Sequence, residues 1–413
     1  MLFKLFIFFF LSSQTLAKNE LYSGYKVYNI EFGTEEQENN FKLLKRDGLD
    51  FWRHPSWERN VIGRVMVATS HVEWFERKLR DMNIDVNVHI EDVLKYLSEK
   101  DGTTEVAERN RAFDFDNFYR YGEILNHLQE LESKYMNSDN ATSVEIVDFD
   151  TTNQNRRLVY LKIERREQDI SKPVIIIEAG INPREWITVP SAINVIENIL
   201  NEDQPRFLND FDWIVIPVLN PDGYEYTHTN LRLWEKSRST NSNLGVICPG
   251  VNINRNFDID WGTSASSSSP CSNIYSGTGP FSEIESQMIA ALIEEHGARI
   301  RLYISLQNNG GFISYPWYYE KAASAMFRDN HLLGIEMVDA MVSNYTLGVA
   351  SVVADRISGT SSDFARIRGV RNTFNIDIEH SEDGNVVIST SDIRRIVDDV
   401  WAAIRVAAEN VTD

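Results

Sequence analysis

Five apolar runs, each too continuous to be one face of an amphipathic element, limit what this chain can fold into. They are "RLVYLKI" (157–163), "KPVIIIEAG" (172–180), "DWIVIPVLN" (212–220), "RLYISLQ" (301–307) and "NTFNIDIE" (372–379). Helical stretches separate them: "VPSAINVIENILNE" (189–202), "SEIESQMIAALIEEHG" (282–297) and "DNHLLGIEMVDAMVSNY" (329–345). A last helix puts Ile393, Ile396, Val397, Val400, Trp401 and Ile404 on one face. Val/Ile strands alternating with helices require a mixed or parallel sheet covered on both sides. Ligands of such sheets sit beyond the strand ends, so function is to be sought just after each run.

Residues 25–90 follow a different plan. "YKVYNIEF" alternates like a strand, Thr34 with Gln37 forms a capping box for a helix through Lys45, and "LDFW" and "RVMVAT" read as strands. Ser70 with Glu73 is expected to cap a second helix, with Val72, Phe75 and Leu79 on its apolar face, and "DVNVHI" closes as a strand. The order strand-helix-strand-strand-helix-strand is the ferredoxin-like arrangement. Residues 91–117 then turn polar and carry Arg109 and Arg111, which reads as a linker with a tryptic site or as an exposed helix.

"MLFKLFIFFFLSSQTLA" is expected to be a secretory signal peptide cleaved after Ala17. No other run is long enough to cross a bilayer. Sequons at Asn140, Asn344 and Asn410 fit an extracellular chain. In a secreted chain the two cysteines, Cys248 and Cys271, are expected to form one disulfide, worth roughly 3 kcal/mol by loop entropy. The net charge of −20 argues against nucleic acid as a partner and is read as solubility rather than an acidic binding face.

The strand ends carry Asn182, Arg184 and Glu185 after the first Ile run, "NPDGYEYTHTNLRLWEKSR" (220–238) after the next, then "GVNINRNFD" (250–258), Gln307, "SGTSSDFA" (358–365) and Asp377. These segments, with the Cys248–Cys271 spacing and "YSGTGPFSEIES" (275–286), resemble the zinc carboxypeptidases of the digestive A/B family over about residues 118–408. The resemblance implies a mixed eight-stranded twisted sheet with helices on both faces, preceded by a ferredoxin-like activation domain. It divides the chain into a signal peptide (1–17), an activation-peptide-like domain with linker (18–111) and a carboxypeptidase-like domain (112–413).

The resemblance also implies a zinc ion held by two His and a Glu. Glu185 matches the Glu, but Asn182 stands for the first His and Gln307, ahead of Tyr315-Pro316, for the second. Amide oxygens are weak, neutral, hard donors that suit calcium better than zinc. Losing two strong ligands should remove several of the roughly 10–16 kcal/mol that a structural zinc site supplies. The general-base Glu becomes Asp377, one methylene shorter, and the oxyanion Arg becomes Glu235, a charge reversal. The Tyr that closes on substrate becomes Asp355. Arg184, Asn254 and Arg255 match the groups that grip a peptide's terminal carboxylate, and Ser362 aligns with the base of the specificity pocket.

No other His falls after a sheet strand in a ligand-like cluster; His228 reads as structural, and His54, His71 and His89 as surface or packing residues. Arg184, Asn254 and Arg255 also suit a buried network around Glu185. Glu185, Glu235, Asp355 and Asp377 suit solvated charge, or a cleft for a cationic ligand or calcium. Three functions follow: a secreted, monomeric pseudo-peptidase binding peptide C-termini or a protein partner; a metallocarboxypeptidase with unusual ligands; or a structural or inhibitor-sequestering protein.

Overall fold

The computed structural model describes residues 17–44, 48–101, 113–136, 141–166, 172–201, 206–381 and 384–411. Residues 1–16 of the expected signal peptide, Arg109, Arg111 and Asn140 lie outside them.

The N-terminal domain runs β1 (Lys26–Ile30), α1 (Glu35–Lys42), β2 (Leu49–Arg53), β3 (Gly63–Val67), α2 (Val72–Asp81), β4 (Asn87–Ile90) and α3 (Val93–Asp101). Its sheet has the order β2-β3-β1-β4, all pairs antiparallel, which is the ferredoxin-like topology. The Thr34–Gln37 capping box starts α1 as expected. Ser70 does not cap α2: a 3-10 turn over Thr69–His71 precedes the helix, and the Ser70 hydroxyl bonds His71 Nδ1 at 2.9 Å instead. Phe75 and Leu79 are buried, packed with Tyr28, Phe41 and Val65. The polar stretch after residue 91 opens as helix α3, whose Val93 and Leu97 are buried, so its start is a packed element rather than a linker.

The larger domain continues with α4 (Tyr121–Met136), β5 (Thr142–Thr151), β6 (Arg157–Arg165), β7 (Val174–Glu178), α5 (Thr188–Ile199), α6 (Arg206–Asp210), β8 (Asp212–Ile216) and α7 (Pro221–Thr229). Then come α8 (Ile284–His296), β9 (Ile300–Gln307), β10 (Phe312–Tyr315), α9 (Phe327–Asp339), β11 (Thr346–Val349), α10 (Ala350–Val353), α11 (Ser361–Ile367), β12 (Asn372–Asp377) and α12 (Ile393–Asn410). The eight strands form one mixed sheet, β11-β10-β12-β9-β7-β8-β6-β5. β9, β7, β8 and β12 run parallel at its centre, and antiparallel pairs flank them.

The continuous apolar run of β7 has a direct cause. Ile175 and Ile177 enter the core formed with α4, α5 and α12, while Val174 and Ile176 enter the core formed with α8 and α11. Both faces of a central strand are covered, so Val174 to Ile177 are all apolar, while Glu178, buried at the strand's end, takes a hydrogen bond from Ser361. The six α12 residues named from the sequence are all buried. Cys248 and Cys271 are joined in a disulfide. Of the sequon residues, Asn344 and Asn410 are exposed. Among the described residues, no helix is long and apolar enough to cross a membrane.

Candidate functional site

The C-terminal ends of the adjacent strands β12, β9 and β7 carry the candidate residues to one place. Asp377 and Gln307 are direct partners in the parallel β9–β12 register, and both end their strands. After β7 the chain turns through Ala179–Gly180. Gly180 has φ +63°, and a Cβ there would lie 3.1 Å from Val218 Cα, so glycine allows this close pass. The turn that follows brings Glu185 N within 3.2 Å of Asn182 O, which points the two side chains at each other.

Asn182 Nδ2 donates to Glu185 Oε1 at 2.7 Å, and the other Glu185 oxygen accepts Asn308 N at 2.8 Å. Asn182 Oδ1 is buried without a partner. Gln307 Oε1 accepts from Asn254 Nδ2 at 3.3 Å and Asn309 Nδ2 at 3.4 Å, and its Nε2 donates to Ser305 Oγ at 3.2 Å. Asn309 also donates to Asp377 Oδ1 at 2.7 Å, and Tyr318 donates to Asp377 Oδ2 at 3.3 Å. A carboxamide network therefore fills the strand ends. Burial, reinforced by Asp377, pushes Glu185 up to about 8; burial pushes Asp377 up to about 7, while Asn309 and Tyr318 pull it back.

Arg184 is 4% exposed and already engaged. Its Nη1 donates to both oxygens of Asp50, at 2.9 Å each, and its Nη2 pairs with Glu235. Asp50 belongs to β2 of the N-terminal domain. Burial alone would lower the Arg184 pKa; Asp50 and Glu235 outweigh it and raise it, so this guanidinium stays charged. Burial raises the Glu235 carboxyl and Arg184 draws it back.

Behind the turn, Trp186 is sandwiched. Arg232 lies 3.8 Å above its ring and His228 stacks on the ring at 3.9 Å. Arg232 Nη1 also donates to Arg184 O at 2.6 Å, which fixes the backbone beneath the guanidinium. His228 is held neutral, its pKa lowered by burial and then by Arg232, in keeping with a packing role.

Asn254 Oδ1 accepts Ser361 N at 3.1 Å, and Arg255 donates to Ala265 O and Asn254 O. Gly359, at φ +73°, lets the 358–364 loop pass where a Cβ would meet Arg255 O at 2.4 Å. Asn182, Arg184, Glu185, Glu235, Asn254, Arg255, Gln307 and Asp355 line one cavity of about 690 Å³ between the two domains. Ser362 does not line it: it sits fully buried in the first turn of α11, its hydroxyl without a partner.

The four carboxylates expected to share one cleft are each paired separately. Glu185 is with Asn182 and Asn308, Glu235 with Arg184, and Asp377 with Asn309 and Tyr318. Asp355 is with His54 Nδ1 at 2.8 Å and Arg59 Nη2 at 3.0 Å. Among the described residues, no group of three or more His, Cys, Asp or Glu is placed to hold a metal ion.

His54 and His89 are more than surface or packing residues, since both reach the larger domain, His89 Nε2 meeting Asn385 Oδ1 at 3.0 Å. One His does lie just past a sheet strand: His380 follows β12, but its Nε2 is satisfied by Asn308 O at 3.2 Å. Asp50 and Arg232 gave no functional signal in the sequence beyond an acid inside a strand and an Arg beside Leu231.

Residues 128–403 match the zinc carboxypeptidase family, and residues 28–100 match the carboxypeptidase activation peptide. A carboxypeptidase B of Helicoverpa zea is 34% identical over 96% of both chains. The crystal structure of carboxypeptidase A from Helicoverpa armigera superimposes with a TM-score of 0.87 at 29% identity, covering 95% of this chain and 98% of its own. Bovine thrombin-activatable fibrinolysis inhibitor, solved in complex with tick carboxypeptidase inhibitor, gives 0.66 at 26% identity over 72% of this chain and 98% of its own. The chain belongs to the zinc carboxypeptidase family and carries that family's activation-peptide domain.

Proposed function

We propose that this chain is a secreted, catalytically degenerate carboxypeptidase A/B-like protein that retains a carboxylate-binding pocket. The observation that carries the reading is the direct Asn182–Glu185 hydrogen bond of 2.7 Å. Two positions that the family resemblance gives to metal ligands bond to each other, and the third, Gln307, is satisfied by neighbouring amides. One carboxylate and two amide oxygens do not fit zinc, which takes imidazole, thiolate and carboxylate. Nor are they the cluster of carboxylates that calcium prefers.

The other replacements point the same way. Without a metal to acidify water, a carboxylate at Asp377 has no activated nucleophile to deprotonate. Glu235 puts negative charge where a developing oxyanion would need positive charge. Arg184 still supports carboxylate recognition, because a carboxylate, that of Asp50, sits on it.

The test is to cleave the purified chain between its domains, then measure bound zinc and hydrolysis of blocked dipeptides. Sub-stoichiometric zinc and no turnover are expected. One zinc per chain with turnover above a mock preparation would overturn the reading.

A further inference from the structure

The two domains meet through apolar, charged and rim contacts. Tyr22, Trp52 and Leu97 of the N-terminal domain share one buried apolar cluster with Leu233, Val386 and Val387 of the larger domain. Asp50 fills the Arg184 guanidinium from inside that interface. At the rim, Asp355 takes both His54 and Arg59, while Arg59 Nη1 donates to Val353 O at 2.5 Å. Asn385 makes a further rim contact, with Arg64 Nη1 at 3.3 Å.

Asp355 is the informative residue. It stands where the family resemblance places a Tyr that swings onto substrate. An aspartate there cannot do that work, but it ties its loop to two side chains of the N-terminal domain, His54 and Arg59. Removing that domain would expose the apolar cluster and leave Arg184 without its Asp50 partner and Asp355 without His54 and Arg59.

We propose that the N-terminal domain is a permanent subunit of this protein: cutting the connection leaves both fragments bound, with the Asp50 carboxylate as the resident occupant of the Arg184 pocket. The inference rests on the reading of Arg184 as a carboxylate site. A buried apolar cluster with desolvated charge pairs at its centre is the anatomy of a tight interface, and the covalent link adds only effective concentration.

The test places a recognition sequence for a site-specific protease within residues 103–111 of the full chain. After complete cleavage, shown on a denaturing gel, the sample is diluted to submicromolar concentration and sized by native mass spectrometry and gel filtration. One species holding both fragments is expected; separate fragments overturn the proposal. Asp50→Asn, an isosteric change in the buried pair, is expected to speed fragment dissociation by roughly 10- to 100-fold, and Asp355→Tyr, at the half-exposed rim, by up to about 5-fold. Dissociation unchanged in both variants would overturn the assignment of these carboxylates as anchors. Hydrolysis by the cleaved sample would sink the proposed function, whereas separation without hydrolysis sinks this inference alone.

Discussion

Arg184 shows how a residue can be singled out from its place in the sequence while its main partner stays hidden. Its place after β7 was legible, as were Asn182, Glu185 and Gln307, because strand-end segments carry a fixed spacing. Its engagement by Asp50 was not, since Asp50 lies 134 positions away in another domain and only the docking joins them. Replacing Arg184 by Ala would leave Asp50 and Glu235 buried, close and unpaired. A loss of roughly 3–5 kcal/mol in urea unfolding is expected. Arg184→Ala with Glu235→Ala should lose less than the two single changes summed, because the second removes a charge that the first strands. At the neighbouring turn, Asn182→His with Gln307→His restores the donor set zinc prefers and removes the amide that holds Glu185. Equilibrium dialysis at micromolar zinc should find about one metal per chain in this variant and far less in the wild type. No gain in metal would mean that Glu185 is held away by more than Asn182.

Elements were legible where burial was two-sided and obscure where it was not. β7 and β8 declared themselves as unbroken apolar runs because helices cover both their faces. β5, at the sheet edge, is acidic and half-exposed along most of its length, and β10 and β11 have four residues each, too few for a periodic signal. α9 ends at Asp339, short of the helix expected through Tyr345, and the Ser70 cap failed because one 3-10 turn displaced the helix start. Helix α8 carries a charge that its burial opposes. Glu285, 3% exposed in the first turn, is pushed up to about 8 by burial and by Glu283 beside it. A carboxyl whose folded pKa is raised contributes stability at pH below its unfolded value near 4.3, and that contribution is lost as pH rises toward 8. Glu285→Gln removes the titration. Relative to the wild type it should gain up to roughly 1.4 kcal/mol per pH unit across that window. Urea unfolding at pH 5 and pH 8 checks this, and an equal difference at both pH values would contradict it.

At the scale of the molecule, the sequence reads as two modules, yet the structure joins them through one interior. Each module has its own core, and these were the parts that pattern and spacing could reveal. A further core is shared: Trp52, 2% exposed, packs in the same cluster as Leu233 and Val387, and no local periodicity in either module marks those residues as partners. Domains that share a buried cluster and an internal charge pair should lose their structure together, because unfolding either one exposes the cluster and strands Arg184. Scanning calorimetry of the intact chain should therefore give one cooperative transition. Trp52→Ala opens a cavity at the centre of the shared cluster, at a cost of about 3–5 kcal/mol. That loss falls on the contact between domains, while the separate cores around Phe75 and around Ile177 are untouched. The single transition should then split, with the smaller domain melting first. Two transitions already present in the unaltered chain would show that the cluster does not couple the domains.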